Sequence, residues 1–435
     1  MTVSIIKREK TGNSVSKAIN LCDGLKSLKS SDKVLIKPNL VLGANKKNFP
    51  PFGIVTTASI IDELVQVLIE KGCKDIAIGE GSILLEEMGS NTTKGFEFSG
   101  INRVGKDYND VKLIDFEAEE YEKVNLDGHT FKIAKRALEA DFLINVPVLK
   151  THGQAIVSLG MKNLKGCLKF SSKKRFHKRG NLEQLIALFN VHLKSHLTVI
   201  DGTYALENGP TGGPAQRADL IIASNDVLEA DMVGAKVLGK NPSNIPHLKE
   251  FARLTKRDTQ LHDIVVNGEK IEDVIRDVPC EMDFNRGFNR AGLKGIRVNA
   301  VKGDVSICSG CYGNMEYTHI IFAKNNPGMD VGNVEICIGT GAEASPSCDK
   351  IFLFGDCAIK KNNGLDKAVK IAGCPPKVGK YLPALMNETL EKNRARIIML
   401  KAMIKMIGFK MGLYYEDIGL WEQYKSEDFD LGHFS

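Results

Sequence analysis

The stretch KVLIKPN, residues 33–39, begins as an apolar strand and ends in a turn of proline and asparagine. Residues 58–71 follow with apolar positions at the spacing of one helix face, and residues 75–79 form a second short apolar run. A strand, a helix and a strand in this order are typical of a parallel β-α-β unit. The stretch therefore predicts a parallel sheet covered by helices.

The same alternation continues through the first half of the chain. Further apolar strands are predicted at residues 4–7, 142–146, 197–200 and 220–223. This pattern predicts an α/β fold with a mostly parallel sheet in an N-terminal domain of residues 1–245. Ligands of such sheets lie beyond the carboxyl ends of the strands, so the segments after the strands are the places to search for a site.

The pattern weakens after residue 241, where charges and prolines accumulate, and residues 246–300 are predicted to connect two domains. A second, smaller α/β domain is expected over residues 301–435. Its strands are predicted at residues 334–338, 350–354 and 370–372, and an amphipathic helix is predicted at residues 381–411.

Composition excludes several classes of protein. The net charge of +6 over 435 residues is too small for a dedicated nucleic-acid binder. We expect no membrane span, because the sequence contains no uncharged run of about 18 apolar residues. We also expect no signal peptide. The expected compartment is the cytoplasm, where the ten cysteines stay reduced and indicate metal ligands, catalytic groups or core residues.

Four of these cysteines follow a pattern. Cys308 and Cys311 form a Cys-x-x-Cys loop, whereas Cys357 and Cys374 each follow a predicted strand. Because strands of a parallel sheet end at the same edge, these thiols are expected to meet. Four thiolates bind either zinc or an iron-sulfur cluster, and a zinc ribbon usually has two Cys-x-x-Cys pairs. The pattern therefore favours the cluster.

This region resembles the cluster-binding part of nickel-iron hydrogenase small subunits and of the related cluster subunit of respiratory complex I. The resemblance is carried by FGDCA at residues 354–358, AGCPP at 372–376 and LPAL at 382–385. It implies a flavodoxin-like sheet and one [4Fe-4S] cluster that transfers electrons. The implied ligands are Cys308, Cys311, Cys357 and Cys374.

The remaining cysteines are expected to be packing residues, with one exception. Cys337 lies in an apolar strand and is expected in the core, whereas Cys348 is an alternative cluster ligand. The isolated cysteines are Cys22, Cys73, Cys167 and Cys280.

Six blocks of the N-terminal half resemble the prokaryotic family catalogued as domain of unknown function 362, whose members often carry iron-sulfur motifs. The blocks are IKPN (36–39), GEGS (79–82), NVPVLKTH (145–152), GMKNLKG (160–166), VIDG (199–202) and ENGP (207–210). The resemblance spans residues 1–245 and implies a family without a reaction.

The blocks place polar residues just after predicted strands. Candidates for proton transfer are Lys150, His152 and Glu80. Candidates for substrate binding are Lys37, Asn39, Lys162, Asn163, Asp201 and Glu207. Several lysines in one pocket suit a carboxylate or phosphate substrate. Alternatively, these residues are turns and caps at strand ends, with solvated lysines.

The basic run KFSSKKRFHKR, residues 169–179, is most simply a solvated loop. Its alternative role is a lid over an anionic substrate or a dock for an acidic electron donor.

Together the motifs predict an iron-sulfur oxidoreductase that reduces a small anionic substrate and can form a homo-oligomer. No GxGxxG follows a strand in the expected setting, so the electrons would come from a partner such as ferredoxin. One alternative is a cofactor-assembly or electron-carrier protein without small-molecule turnover. Another is a non-redox lyase with an open iron, which would use three cysteine ligands.

Overall fold

The computed structural model describes residues 2–9, 12–43, 51–82, 90–176, 182–210, 214–280, 284–301, 307 and 309–390. These residues form two compact units, which divide between Cys280 and Phe284. Both units are α/β, and the larger has a mostly parallel sheet, which confirms the predicted fold class.

The described strands of the first unit include those predicted from the sequence. They are β1 (Thr2–Lys7), β2 (Lys33–Pro38), β3 (Asp75–Glu80), β4 (Val111–Asp115), β5 (Tyr121–Leu126), β6 (His129–Ala134), β7 (Phe142–Val146), β8 (Val148–His152), β9 (Ile156–Val157), β10 (Leu197–Gly209), β11 (Ala215–Ser224) and β12 (Val265–Gly268). β5 and β6 form a separate antiparallel hairpin, and the other strands form one sheet.

The order along the main sheet is β12-β1-β11-β10-β7-β2-β3-β4, with β8 paired to β10 and β9 paired to β8. The pairs β2–β3, β2–β7, β3–β4 and β7–β10 are parallel, whereas β11 is antiparallel to β1 and β10. The carboxyl ends of β2, β3 and β7 therefore lie side by side at one edge of the sheet.

Helices cover the main sheet. They are α1 (Ser14–Leu21), α2 (Ala58–Glu70), α3 (Thr92–Ser99), α4 (Ile101–Asp107), α5 (Lys135–Leu138), α6 (Gly160–Asn163), α7 (Phe170–Phe176), α8 (Leu182–His192), α9 (Val227–Val237), α10 (Pro246–Leu254) and α11 (Ile271–Val274). A 3₁₀ turn over Leu164–Cys167 continues α6, and another spans Pro242–Asn244.

The core of this unit lies on both faces of the sheet. Leu35 packs in one apolar cluster, whereas its neighbours Val34 and Ile36 pack in the other. All three are at most 1% exposed. A parallel strand that is buried on both faces needs a continuous apolar run, which explains the sequence KVLIKP.

The second unit contains a four-stranded parallel sheet in the order β13-β14-β15-β16. The strands are β13 (Lys294–Asn299), β14 (Asp330–Ile338), β15 (Lys350–Phe354) and β16 (Val369–Ile371). The helices are α12 (Arg286–Arg290), α13 (Ser309–Lys324), α14 (Asp356–Lys361) and α15 (Val378–Thr389). The helix predicted at residues 381–411 corresponds to α15 up to Thr389, and residues beyond 390 lie outside the described part.

The segment 246–300, predicted to be a connection, is divided between the two units. β12 pairs in parallel with β1, and Leu248 and Phe251 of α10 are buried in the first unit. β13 belongs to the second sheet. The sequence pattern is weak here because β12 is a partly exposed strand at the end of the sheet, so its residues do not form an apolar run.

Within the described part of the chain, no helix is both long and apolar enough to cross a membrane.

Candidate functional site

A buried ion pair joins the ends of the neighbouring strands β2 and β3. Lys37 Nζ lies 2.7 Å from Glu80 Oε2, and the two residues are 0% and 3% exposed. Glu80 Oε2 also accepts the N–H of Leu40 at 3.0 Å, and its Oε1 accepts the N–H of Gly81 at 2.8 Å. Glu80 thus neutralises Lys37 and fixes the turns after both strands.

A chain of amide side chains extends this pair to Lys150. Asn163 Oδ1 accepts from Asn39 Nδ2 at 3.0 Å, and Asn163 Nδ2 donates to Asn145 Oδ1 at 2.8 Å. Lys150 Nζ donates to Asn39 Oδ1 at 2.8 Å and to the carbonyl of Ile54 at 3.0 Å. Since Lys37 Nζ also lies 3.5 Å from Asn163 Oδ1, the residues of four sequence blocks form one network.

The glycines of the block GMKNLKG, residues 160–166, lie where the backbone is closely packed. Asp231 of α9 accepts the backbone N–H groups of Gly160 at 2.6 Å and Met161 at 2.9 Å, which fixes the start of α6. A Cβ at Gly166 would overlap both charged groups of the buried ion pair. Glycine is therefore required where the backbone passes the pair.

Three lysines around α6 have lowered pKa values. Burial lowers the pKa of Lys162 to about 8. Burial, and then the charge of Lys162, lowers the pKa of Lys150 and of Lys165 well below its usual value. The charge of Lys173 acts on Lys165 in the same direction. This part of the molecule is thus rich in ammonium groups that would gain from a bound anion.

The basic run differs from the predicted solvated loop. Residues 170–176 form α7, and Lys173 is 8% exposed. Its Nζ lies 3.3 Å from Glu117 Oε1 and donates to the carbonyl of Gly81. Residues 177–179 lie outside the described part of the chain. Lys173 therefore belongs to the interior beside the Lys37–Glu80 pair.

His152 is buried at the end of β8. Its Nδ1 accepts the backbone N–H groups of Gln154 at 3.0 Å and Ala155 at 3.1 Å. This geometry assigns the ring proton of neutral His152 to Nε2. The histidine therefore shapes the turn between β8 and β9.

Asp201 and Glu207 make contacts outside the network. Asp201 Oδ2 accepts the N–H of Thr57 at 2.8 Å, and its Oδ1 accepts from Thr203 Oγ1 at 2.7 Å. Glu207 Oε1 accepts from Gln216 Nε2 at 2.7 Å, across the β10–β11 hairpin. Both carboxylates hold backbone or hairpin geometry, which is the turn-and-cap role considered as the alternative.

Sequence reasoning did not single out Asn145, Glu117, Lys165 or Lys173. Asn145 lies within a quoted block, and its polar side chain in an otherwise apolar strand was an available clue. Glu117 follows β4, a strand that was not predicted. Only the fold brings Glu117 and Lys173 together, since they are 56 residues apart.

In the second unit, three of the predicted ligands lie in segments that approach one another. Cys311 is in the first turn of α13, whereas Cys357 and Cys374 follow β15 and β16. A Cβ at Gly355, where φ is +92°, would lie 3.7 Å from Cys311 Sγ and 3.6 Å from the carbonyl of Gly373. The three cysteine-bearing segments therefore approach one another, with glycine at the contact. Cys308 lies outside the described residues.

The surroundings of these cysteines differ from those of the others. Cys311 and Cys357 are half-buried and Cys374 is exposed. Cys337 is fully buried in the core, as expected, and Cys348 Sγ accepts from Arg297 Nη2 at 3.0 Å. Among the described residues, no three His, Cys, Asp or Glu side chains are arranged to hold a metal ion.

Part of the first unit is similar in sequence to known proteins. Residues 34–236 match the family model described as "Domain of unknown function (DUF362)". The "Thylakoid-associated protein sll1697" of Synechocystis sp. is 26% identical over 298 residues, which cover 65% of this chain and 88% of that protein. The lactate racemase apoprotein from Thermoanaerobacterium thermosaccharolyticum is a distant structural match, with a TM-score of 0.37 and 12% identity over 78% of this chain and 69% of that one. Over residues 34–236 this protein thus matches the DUF362 family, as its sequence blocks predicted.

Proposed function

We propose that this protein is an iron-sulfur oxidoreductase that delivers electrons through one [4Fe-4S] cluster to a small anionic substrate. The observation that carries the proposal is the approach of the segments bearing Cys311, Cys357 and Cys374 at one edge of the second sheet. Cys311 and Cys357 are half-buried and Cys374 is exposed, whereas Cys337 is buried in the core.

The donor set fits a cluster. Cys308, Cys311, Cys357 and Cys374 would supply four thiolates, the usual ligands of [4Fe-4S]. Gly355 and Gly373 leave the backbone without Cβ atoms where the segments meet, which suits close approach to inorganic sulfide. When bound, the cluster supplies one-electron transfer, and a soluble donor such as ferredoxin would reduce it.

The first unit would bind the substrate. Lys150 and Lys162 supply positive charge, and Asn39 and Asn163 orient Lys150 through their amide chain. His152 would hold its proton on Nε2, because Nδ1 accepts two backbone N–H groups. Glu80 serves to hold Lys37 in place rather than to transfer protons, since both of its oxygens are engaged.

Anaerobic purification with iron and acid-labile sulfide analysis tests the cluster. We expect about four irons and four sulfides per chain and an EPR signal after reduction by dithionite. One zinc per chain and no iron would refute the proposal. The electron-carrier alternative predicts a different result. The reduced cluster would not be reoxidised by small anions, and the protein would form a stable complex with another protein.

A further inference from the structure

We propose that Lys150 and Lys162 bind one oxyanionic part of the substrate that carries at least two negative charges, such as a phosphoryl, sulfo or dicarboxylate group. This inference rests on the proposed function, because it names the substrate class of that same site.

The distribution of carboxylates singles out these two lysines. Lys37 is paired with Glu80, and Lys173 is paired with Glu117. The hydrogen-bond acceptors described for Lys150 are both neutral: Asn39 Oδ1 and the carbonyl of Ile54.

Lys162 is half-buried, and no ion-pair or hydrogen-bond partner is found for it among the described residues. Ammonium groups out of water are stabilised by opposite charge. Lys37 and Lys173 each form an ion pair with a carboxylate. Glu80 also acts on the charge of Lys150 but forms no ion pair with it, and among the described residues no carboxylate is paired with Lys162.

The surroundings of Lys162 strengthen this argument. Its charge acts on Lys150 and Lys165, and also on His247 of α10. The lysines repel one another when charged, so the protein concentrates positive potential around Lys162. A monoanion would compensate one of these charges, whereas a dianion would compensate the Lys150–Lys162 pair. Lys150 and Lys162, which form no ion pair with a carboxylate among the described residues, therefore suit a ligand with two negative charges.

His247 is a second, independent sign of a ligand. It is 0% exposed, and within the described part of the chain neither ring nitrogen has a hydrogen-bond partner. Burial, and then Lys162, lowers the pKa of His247 to about 3, so its ring is neutral and can donate one hydrogen bond. Buried polar groups almost always have partners, and an oxyanion beside Lys162 would supply one.

Ordered water is the simplest competing explanation. Asn190 donates from Nδ2 to the carbonyl of Met161, next to Lys162, and its buried Oδ1 has no partner among the described residues. Water molecules would satisfy Asn190 and His247. Water carries no charge, however, and does not compensate Lys150 and Lys162. A charged ligand accounts for the lysines as well as the histidine.

The proposal has a thermodynamic signature. Because the pKa of Lys162 is about 8 without a ligand, a fraction of the molecules lack its charge at pH 8. A dianion beside Lys162 favours the ammonium form, so binding takes up protons from the buffer. Sulfate is a suitable probe, since it does not itself titrate near this pH.

The test is isothermal calorimetry on the full-length, anaerobically prepared protein with sulfate and malonate, and with acetate as the monoanion, at constant ionic strength. We expect both dianions to bind more tightly than acetate, with proton uptake seen as a dependence of the heat on the buffer's ionisation enthalpy. Lys162→Gln should weaken sulfate binding about tenfold or more, whereas Lys162→Arg should retain it. Lys194→Gln removes the same charge from an exposed lysine and should change nothing.

Equal affinity for acetate and sulfate, no binding of either dianion, or unchanged sulfate binding in Lys162→Gln would overturn the inference. If Lys162→Gln does not fold, the wild-type heats decide, because binding without proton uptake at pH 8 contradicts a role for Lys162. Iron analysis of the same samples separates the two proposals. Sulfate binding to iron-free protein would leave this inference standing and refute the cluster, and iron-loaded protein that binds no dianion would do the reverse.

Discussion

Lys37 Nζ and Glu80 Oε2 lie 2.7 Å apart at the ends of adjacent parallel strands, with both side chains withdrawn from solvent. The pair is held further by backbone groups: Lys37 Nζ donates to the carbonyl of Pro38, and Glu80 accepts the N–H groups of Leu40 and Gly81. Removing either partner of a buried, fully hydrogen-bonded ion pair destabilises the fold, because the remaining charge has no water to solvate it.

Lys37→Met should therefore destabilise the first unit by about 3–5 kcal/mol, since it leaves Glu80 charged and buried. Urea unfolding followed by circular dichroism measures this loss. Glu250→Gln is the control, because Glu250 forms a solvent-facing pair with Arg253. That substitution should have no measurable effect. Equal losses in the two variants would show that the buried pair has no special role.

Gly166→Ala should destabilise the first unit by about 1–3 kcal/mol, because the added methyl group overlaps Glu80 Oε1 and Lys37 Nζ. Gly313→Ala is the matched control in α13 of the second unit, where an added Cβ meets nothing within 4 Å. Alanine there should be neutral or stabilise its unit by up to about 1 kcal/mol, because alanine favours a helix more than glycine does. Thermal unfolding of each variant checks both values. A Gly166→Ala protein as stable as the wild type would contradict the close packing described.

Asp231 should make the first unit less stable as the pH rises from about 4 to 7. Burial raises the pKa of Asp231 from its ordinary value of 3.8 to about 7, although the N–H groups of Met161 and Gly160 oppose the shift. In this range the folded state holds a proton that the unfolded state has lost, so raising the pH favours unfolding. The slope is about 1.4 kcal/mol per pH unit.

Asp231→Asn removes this titration. Urea unfolding at pH 5, 6, 7 and 8 should show wild-type stability falling relative to that of the variant, and the difference should level off above pH 7. A constant difference across this range would show that Asp231 keeps an ordinary pKa.

The four proposed cluster ligands should differ from the other cysteines in their effect on iron content. Cys357→Ser and Cys374→Ser should each lose most of the iron in anaerobically purified protein. Cys348→Ala should keep it, since Cys348 Sγ accepts a hydrogen bond from Arg297 Nη2. Iron and sulfide analysis with EPR gives the comparison. Full iron content in Cys357→Ser, or loss in Cys348→Ala, would show that the ligand set is wrong.

The fold was largely readable from the sequence. Strands buried on both faces require unbroken apolar runs, so β2, β7 and β15 were visible as short apolar segments that end in a turn. Edge and half-exposed strands lack this pattern. β4 and β12 were therefore not predicted from the sequence. Without β12, the extent of the first unit was not predicted either.

The candidate site was predictable only in part. The sequence alone determined that Lys37, Asn39, Glu80 and Lys150 follow strands of one parallel sheet, because such strands end at a common edge. It did not determine which residue pairs with which. Those pairings depend on strand register and side-chain direction. Glu80 pairs with Lys37, whereas Lys150 donates to neutral acceptors.

Tertiary structure also decided the burial of Lys173 and the hydrogen-bond partners of Asp201 and Glu207. Composition made residues 169–179 resemble a solvated loop, but α7 carries Lys173 to Glu117 and Gly81. Local sequence determines which strands and turns form, because backbone hydrogen bonding and apolar periodicity act over a few residues. Which charges are compensated depends on contacts between residues far apart in the chain, and only the folded structure decides them.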